Sequence, residues 1–377
     1  MTPHRLNPAP QAKSVRRANS IAFLRLALAF TVLYSHAHLL GGFGKESFLS
    51  WSRGSLILGS VGVQGFFVLS GSLIATSWIR RATLGRFLWC RFLRLAPAFW
   101  VCLAVTSLVF GPVFYFTSPG PHLPYFSLQP SALGYLLRNG LNPRAQIAIG
   151  PLPGGVPWSS DWNGSLWTLF YEAACYLMVA GLGVAGLLGR SRRLGAAAIV
   201  GLLALFTFWS VASPAVALPR QVGRIFDTPG KVLTLYFLAG TGWALFPDAT
   251  RAWTRAFWPG LLACFVLVAC WHWGAYRWLG PWIMPPALFW LAANLPFAGF
   301  EDWAGGDYSY GLYIYAYPVQ QMLAHFGAAS LGYPLYLAAG FCGAGLLAIA
   351  SWHWIEKPAL GLKNLAFRPG SGQLAGC

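Results

Sequence analysis

Repeated apolar runs of membrane-spanning length constrain this sequence more than any other feature. A search for runs of about 20 apolar residues, the length that crosses a bilayer, gives ten candidates. With 56% hydrophobic and only 9% charged residues, the chain is far more apolar than a soluble protein of 377 residues. We therefore expect an all-α integral membrane protein with about ten transmembrane helices in one bundle. The runs lie at 20–40, 55–78, 95–116, 164–188, 195–213, 231–247, 256–273, 279–298, 308–326 and 332–355.

The eighth run differs from the others because it contains several prolines. Proline lacks the backbone N–H that a helix interior needs, so these residues predict a break or kink. A membrane protein tolerates such a break where neighbouring helices bury it. The prolines are Pro281, Pro285, Pro286 and Pro296.

The basic residues indicate how the helices are oriented. The chain carries 26 Lys and Arg against nine Asp and Glu, which gives a net charge of +17. These residues cluster between the apolar runs, 17 on one side of the predicted membrane and eight on the other. Because cytoplasmic loops are enriched in Lys and Arg, the excess predicts a multi-pass membrane protein with both termini in the cytoplasm.

The same composition argues against other classes of protein. The sequence has no zinc-finger spacing and no helix-turn-helix pattern, so we do not expect it to bind nucleic acid. Its seven cysteines form no CxxC pair, so we expect neither a metal site nor a disulfide framework.

One membrane domain accounts for most of the chain. We predict a basic cytoplasmic tail at 1–19, a transmembrane domain at 20–356 and a short cytoplasmic tail at 357–377. The longest segment between spans, 117–163, is rich in Pro and Gly. It is predicted to be extracytoplasmic and to fold over the outer mouth of the bundle.

Ionisable residues inside predicted spans are costly to bury, so each one is a candidate functional residue. Arg25 and His36 in the first span are eleven residues apart, which places them on one helix face about 16 Å apart along the axis. Arg25 lies near the predicted cytoplasmic end and His36 in the outer half, whereas His38 points to another face. The structural alternative is that Arg25 extends to the cytoplasmic lipid headgroups and His36 to the outer ones.

Three further charged residues extend this set. Glu172 lies inside the predicted span at 164–188, where an unpaired carboxylate is unfavourable, so we expect a partner such as His36 or an arginine. Its alternative role is a purely structural ion pair. Arg91 and Arg94 share a helix face just before the third span, and guanidinium groups suit phosphate. Together with Arg25 they are predicted to bind one anionic ligand. The alternative is that Arg91 and Arg94 serve membrane topology and contact lipid headgroups.

Six motifs follow one another along the chain: LRLALAFTVLYSH, GVQGFFVLSGSLIATSW, RFLWCRFLRLAPAFW, NGSLWTLFYEAACYL, YSYGLYIYAYPVQQ and WIEKP. This ordered set resembles the membrane-bound acyltransferase-3 family, which includes bacterial O-acetyltransferases of polysaccharides and lipopolysaccharides. The resemblance extends from about residue 19 to 358. Ala316 stands where many relatives have a histidine, so that position cannot supply a base here.

The resemblance implies an O-acyltransferase of the bacterial inner membrane. Such an enzyme takes an acyl group, usually acetyl, from cytoplasmic acyl-CoA and delivers it to a hydroxyl of an extracytoplasmic glycan or glycolipid. The resemblance also implies that His36 is catalytic. Acetyl-CoA is then a donor substrate, and no permanently bound cofactor is expected. The residues expected around the donor are Arg25, Arg91 and Arg94. Candidate pocket residues in the same motifs are Trp167, Tyr310 and Tyr313.

The predicted chemistry agrees with the residue types. Attack of a hydroxyl on a thioester needs a base, and a neutral imidazole is suited to that task. We predict that His36 is the general base, with a transient acyl carrier as its alternative role. Glu172 is predicted to orient the imidazole or stabilise its charge.

Two other classes of protein remain as alternatives. A transporter or flippase of lipid-linked sugars also uses broken helices and intramembrane charges, but it would move its substrate without consuming a thioester. A structural subunit of an envelope complex would tolerate substitution of Arg25, His36 and Glu172.

Overall fold

The computed structural model describes residues 19–80, 83–188, 192–212 and 228–364. Residues 1–18 of the predicted N-terminal tail and 365–377 of the predicted C-terminal tail lie outside the described residues. The described part of the chain is helical and contains no β-strand.

The helices are numbered in chain order. They are α1 (Ile21–Leu40), α2 (Ser47–Trp51), α3 (Leu58–Ile79), α4 (Leu84–Val105), α5 (Gly111–Thr117), α6 (Ala132–Leu141), α7 (Trp167–Val184), α8 (Arg192–Ala212), α9 (Thr228–Leu245), α10 (Pro247–Arg255), α11 (Phe257–His272), α12 (Tyr276–Asn294), α13 (Phe300–Ala304), α14 (Ser309–His325), α15 (Tyr333–Ser351) and α16 (Lys357–Gly361). The π-helical turns Thr106–Phe110 and Trp352–Glu356 join α4 to α5 and α15 to α16. The 3₁₀ turns are Tyr125–Ser127, Ala328–Leu331 and Leu362–Asn364.

Five helical stretches in the described residues are long and apolar enough to cross a membrane. Helices α10 and α11 add a sixth if the pair, bent by 89°, counts as one span. Each of the ten predicted runs coincides with a helix, but the ten-span topology and the orientation of the termini stay predictions. The five stretches are Ile21–Leu40, Leu58–Ile79, Leu84–Thr117, Trp167–Val184 and Tyr333–Gly361.

Two helices differ from the sequence expectation. Helix α4 begins at Leu84, so Arg91 and Arg94 lie within it and not in a connection before the third span. A search for apolar runs stops at arginine, whereas the helix continues because its buried residues Phe87, Cys90 and Leu93 recur at helical spacing.

The helix of the eighth run does not break at three of the four prolines. Helix α12 continues from Tyr276 to Asn294 through Pro281, Pro285 and Pro286, and it ends just before Pro296. Pro281 and Pro285 are buried among neighbouring side chains, which is the setting in which membrane helices tolerate proline.

Two apolar clusters form the core. One is built from α1, α3, α4, α7, α8, α9, α11 and α12, and the other from α1, α4, α5, α7, α14, α15 and the segment between α5 and α7. Val63, Phe66 and Leu95 pack against both clusters. The polar side chains of α1, α4 and α7 meet at this boundary.

Helices α3 and α9 are in backbone contact through two glycines. A Cβ atom on Gly71 would lie 2.0 Å from the carbonyl oxygen of Phe237, and one on Gly240 would lie 2.0 Å from that of Val68. The Thr241 hydroxyl donates a hydrogen bond to the carbonyl of Gly71 (3.3 Å) across the same contact. Because main chain cannot move aside as a flexible side chain can, both positions require glycine.

We predict that Gly71→Ala lowers stability by about 1 to 3 kcal/mol, because the added methyl group forces the two helices apart. Thermal unfolding of the detergent-purified protein, followed by size-exclusion chromatography, measures this loss. Gly345→Ala on α15 is the control, since a Cβ there meets no atom within 4 Å. An unchanged melting temperature for Gly71→Ala would show that the two helices do not approach this closely.

Candidate active site

Three arginines line one internal cavity, here called the arginine cavity. Arg25 comes from α1, and Arg91 and Arg94 come from α4. The cavity has a volume of about 90 Å³ and lies where the two apolar clusters meet, since Val63, Phe66 and Leu95 also line it. The structure therefore brings together the three arginines that the sequence predicts around one anionic ligand.

Asp307 binds two of these arginines. One carboxylate oxygen of Asp307 accepts a hydrogen bond from Arg25 and another from Arg94, each at 2.6 Å. Asp307 lies in the turn before α14 and is 7% exposed. Burial alone would raise the pKa of its carboxyl, but the guanidinium groups of Arg25 and Arg94 hold that pKa well below its usual range.

Sequence reasoning missed Asp307. The available signal was an acidic residue next to the YSYGLYIYAYPVQQ motif in a chain that has only nine Asp and Glu. The other oxygen of the Asp307 carboxylate accepts hydrogen bonds from the backbone N–H (3.2 Å) and hydroxyl (2.5 Å) of Ser309 at the start of α14. Asp307 thus connects α1 and α4 to the start of α14.

Arg91 differs from the other two arginines. Its Nε atom is buried without a hydrogen-bond partner among the described residues, and no ion pair in that part of the chain includes it. Its guanidinium carbon lies 5.9 Å from the centre of the Phe87 ring. Of the three arginines in the arginine cavity, Arg91 is therefore the one whose guanidinium is most available to an anionic ligand.

Glu172 lines the arginine cavity and does not contact His36. Its carboxylate accepts hydrogen bonds from the hydroxyl groups of Ser70 (3.3 Å) and Tyr176. The predicted pairing of Glu172 with His36 is therefore wrong in this structure. The reason is the register of α7: Trp167 and Thr168 in its first turn line the cavity of His36, whereas Glu172 lies one turn further along and faces the arginines.

His36 lines a second and larger cavity, here called the histidine cavity. It has a volume of about 610 Å³. Gln64 and Trp167 line it together with His36, and His38 contributes as well, although the sequence predicted that His38 faces elsewhere. The His38 ring stacks on Tyr333, with 4.1 Å between the ring centroids.

The buried carboxylate of Glu46 lies in the same cavity. Glu46 accepts hydrogen bonds from the Ser35 hydroxyl and from the backbone N–H of Leu58, the first residue of α3. The Ser35 oxygen in turn accepts one from the backbone N–H of Gly59 (2.6 Å). These contacts fix the start of α3 against α1 at the residue that precedes His36.

A thin wall separates the two cavities. Val63, Thr168 and Tyr313 line both of them, and the hydroxyl groups of Thr168 and Tyr313 form a hydrogen bond with each other (2.6 Å). Of the other predicted pocket residues, Trp167 lines the histidine cavity. Tyr310 lines the arginine cavity and donates a hydrogen bond to the carbonyl of Leu95 (3.0 Å).

Comparison with known proteins identifies one family model and two relatives that match most of the chain. A family model described as an acyltransferase domain matches residues 19–353. An O-acetyl transferase of Shigella phage Sf6 is 30% identical over 358 residues, which cover 91% of this chain and 96% of that protein. Nodulation protein 10 of Rhizobium leguminosarum bv. viciae is 26% identical over 410 residues, which cover 95% and 97%. No solved structure matches the chain significantly.

Proposed function

The chain belongs to this acyltransferase family, and from that membership we propose that it transfers an acetyl group from acetyl-CoA to a hydroxyl of a glycan or glycolipid. The name of the phage relative supports both the acetyl group and an oxygen acceptor. The donor is cytoplasmic and the acceptor extracytoplasmic in this proposal. It also places ten spans in the bacterial inner membrane, with both termini in the cytoplasm.

One observation carries the proposal. Helix α1 supplies Arg25 to the arginine cavity and His36 to the histidine cavity, and the two cavities share a wall at Val63, Thr168 and Tyr313. Two adjoining cavities suit a charged donor and a polyhydroxy acceptor, because the two substrates must approach one base from opposite sides of the membrane. The pantetheine arm of CoA is long enough to bring the thioester from a phosphate site toward the middle of the protein.

The arginine cavity is the proposed donor-phosphate site. Arg91 supplies a guanidinium that forms no ion pair in the described part of the chain, and guanidinium binds phosphate with paired hydrogen bonds. Arg25 and Arg94 share their charge with Asp307, so the donor competes with that carboxylate for them. Glu172 lies beside the arginines, so we assign it to the donor site and not to the orientation of His36.

His36 is the proposed general base. Its Nδ1 is buried, which leaves Nε2 as the ring nitrogen to face the histidine cavity. The imidazole takes the proton of the acceptor hydroxyl while the hydroxyl oxygen attacks the thioester carbonyl. The new C–O bond replaces the C–S bond, and the proton passes from the imidazolium to the departing thiolate. The alternative role, a transient acyl-imidazole, uses the same nitrogen as nucleophile.

Radiolabelled acetyl-CoA separates this proposal from a transporter. Inverted membrane vesicles that contain the protein are given the labelled donor, and the envelope glycans are then extracted. We expect label in the glycan fraction and stoichiometric release of free CoA. A transporter would leave the thioester intact and the glycans unlabelled.

We predict that Arg91→Ala raises the KM for acetyl-CoA by about 10- to 100-fold, the effect of losing a hydrogen bond to a charged group. The kcat should change much less, because His36 is untouched. Arg138→Ala is the control, since Arg138 lies exposed on α6 and lines neither cavity. A lower kcat with unchanged KM in Arg91→Ala would exclude Arg91 from donor binding.

A further inference from the structure

The imidazole of His36 packs against a tyrosine from α14. The ring centroids of His36 and Tyr317 are 4.9 Å apart, and the ring planes are inclined by 73°, an edge-to-face contact. The Nδ1 atom of His36 has no hydrogen-bond partner among the described residues. The orientation of the imidazole therefore depends on ring packing, and the contact with Tyr317 is the aromatic contact that fixes it.

Tyr317 is itself held by a carboxylate. Its hydroxyl donates a hydrogen bond to Oδ1 of Asp161 (3.0 Å), and Nε1 of Trp158 donates to the same oxygen (2.9 Å). Gln321, one turn further along α14, donates to the backbone carbonyls of Trp158 (2.8 Å) and Asp161 (2.9 Å). Three of these hydrogen bonds connect α14 to the segment before α7, and the bond from Trp158 holds the Asp161 carboxylate within that segment.

Gly164 shows how closely this group is packed. A Cβ atom there would lie 2.6 Å from the Tyr317 ring and 2.7 Å from Oδ2 of Asp161. Tyr317 and Asp161 do not line the histidine cavity, whereas Gly164 and His36 do. The pair therefore acts on the ring and not on a substrate in the cavity.

We propose that Tyr317 and Asp161 are positioning residues that hold the imidazole of His36 in its orientation for acyl transfer. The inference rests on the proposed function. It assigns to this pair the orienting role that the sequence predicted for Glu172, which faces the other cavity. A base displaced by about 1 Å loses about 100-fold in rate, so a small movement of the ring is sufficient to matter.

Three substitutions test the proposal in membrane vesicles with radiolabelled acetyl-CoA. Tyr317→Phe keeps the ring but removes its hydroxyl, and Asp161→Ala removes the acceptor. Both should lower kcat by about 10- to 100-fold and leave the KM for acetyl-CoA unchanged. Asp161→Asn keeps a carbonyl oxygen for Tyr317 and Trp158, so it should retain nearly the wild-type kcat.

Two outcomes would overturn the proposal. One is a wild-type kcat in Tyr317→Phe, and the other is an equal loss of kcat in Asp161→Asn and Asp161→Ala. Gly164→Ala is a further variant, which should lower kcat by displacing the Tyr317 ring. Gly181→Ala is its control, because a Cβ there meets no atom within 4 Å. If Asp161→Ala does not accumulate as folded protein, Tyr317→Phe and Gly164→Ala decide the matter.

The failure of this inference can be told apart from the failure of the proposed function. If His36→Ala abolishes transfer while Tyr317→Phe keeps the wild-type kcat, only the positioning role is wrong. If His36→Ala also transfers acetyl normally, the proposed function is wrong as well.

Discussion

Replacement of His36 by alanine abolishes acetyl transfer while the protein still accumulates in the membrane. The expected loss in kcat is about 100- to 10,000-fold, the range for removal of a general base. The reason is that His36 is the side chain of the histidine cavity that lies on the same helix as Arg25 and has a ring nitrogen free to face an acceptor. Labelled acetyl in extracted glycans, normalised to the amount of protein, measures the effect.

His36→Asn and His272→Ala are the controls for this result. His36→Asn preserves a small polar side chain and should be as inactive as His36→Ala, because an amide is not a base. His272 lies at the end of α11, where its Nδ1 is 3.1 Å from the carbonyl oxygen of Trp51, and it lines neither cavity. Its replacement by alanine should leave transfer near the wild-type rate. Loss of activity in His272→Ala as well as in His36→Ala would mean that the assay reports membrane insertion and not catalysis.

Replacement of Asp307 by alanine should strongly lower the stability of the protein. It leaves the guanidinium groups of Arg25 and Arg94 without their shared carboxylate, and these arginines are only 22% and 16% exposed. Breaking a buried ion pair from one side costs about 3 to 5 kcal/mol. The melting temperature of the detergent-purified variant should fall accordingly, and acetyl transfer should fall with it because Arg25 and Arg94 lose their positions.

A surface ion pair provides the matched control. Asp248 and Arg251 are 3.1 Å apart on α10, but they are 77% and 65% exposed. Asp248→Ala should change stability by less than about 1 kcal/mol, because solvent screens that pair. The double variant Asp307→Ala with Arg25→Ala should recover part of the lost stability, because it removes the guanidinium that is left without a carboxylate, whereas Arg94 still lies 4.0 Å from Glu356. If Asp307→Ala and Asp248→Ala are equally stable, the charge arrangement described here is wrong.

The sequence predicted the helices better than their ends. Apolar runs locate helices because hydrocarbon excludes polar side chains, so each predicted run coincides with a helix. The start of α4 at Leu84 was missed, because a helix does not end where its residues become charged. The continuous α12 was missed too, because the tertiary burial that stabilises prolines in a helix cannot be read from the chain.

The candidate site was predictable where it depends on one helix, and not where it depends on several. Helical spacing placed Arg91 and Arg94 together on α4, and it placed Arg25 and His36 on one face of α1. Asp307 was missed because its two partners are more than 200 positions away in sequence. The sequence also paired Glu172 with His36, because the packing of α7, which decides the cavity that Glu172 faces, cannot be read from the chain.

The proposed acetyl transfer is tested most directly by following the acetyl group itself. Wild-type protein or His36→Ala is expressed in a strain that lacks the gene, and permeabilised cells are given acetyl-CoA with a heavy-isotope acetyl group. Mass spectrometry of the surface glycans then looks for the labelled ester. We expect a labelled ester at a glycan hydroxyl with the wild type and none with His36→Ala. Identical glycan masses in the deletion strain with and without the wild-type protein, or label that does not depend on His36, would contradict the proposal.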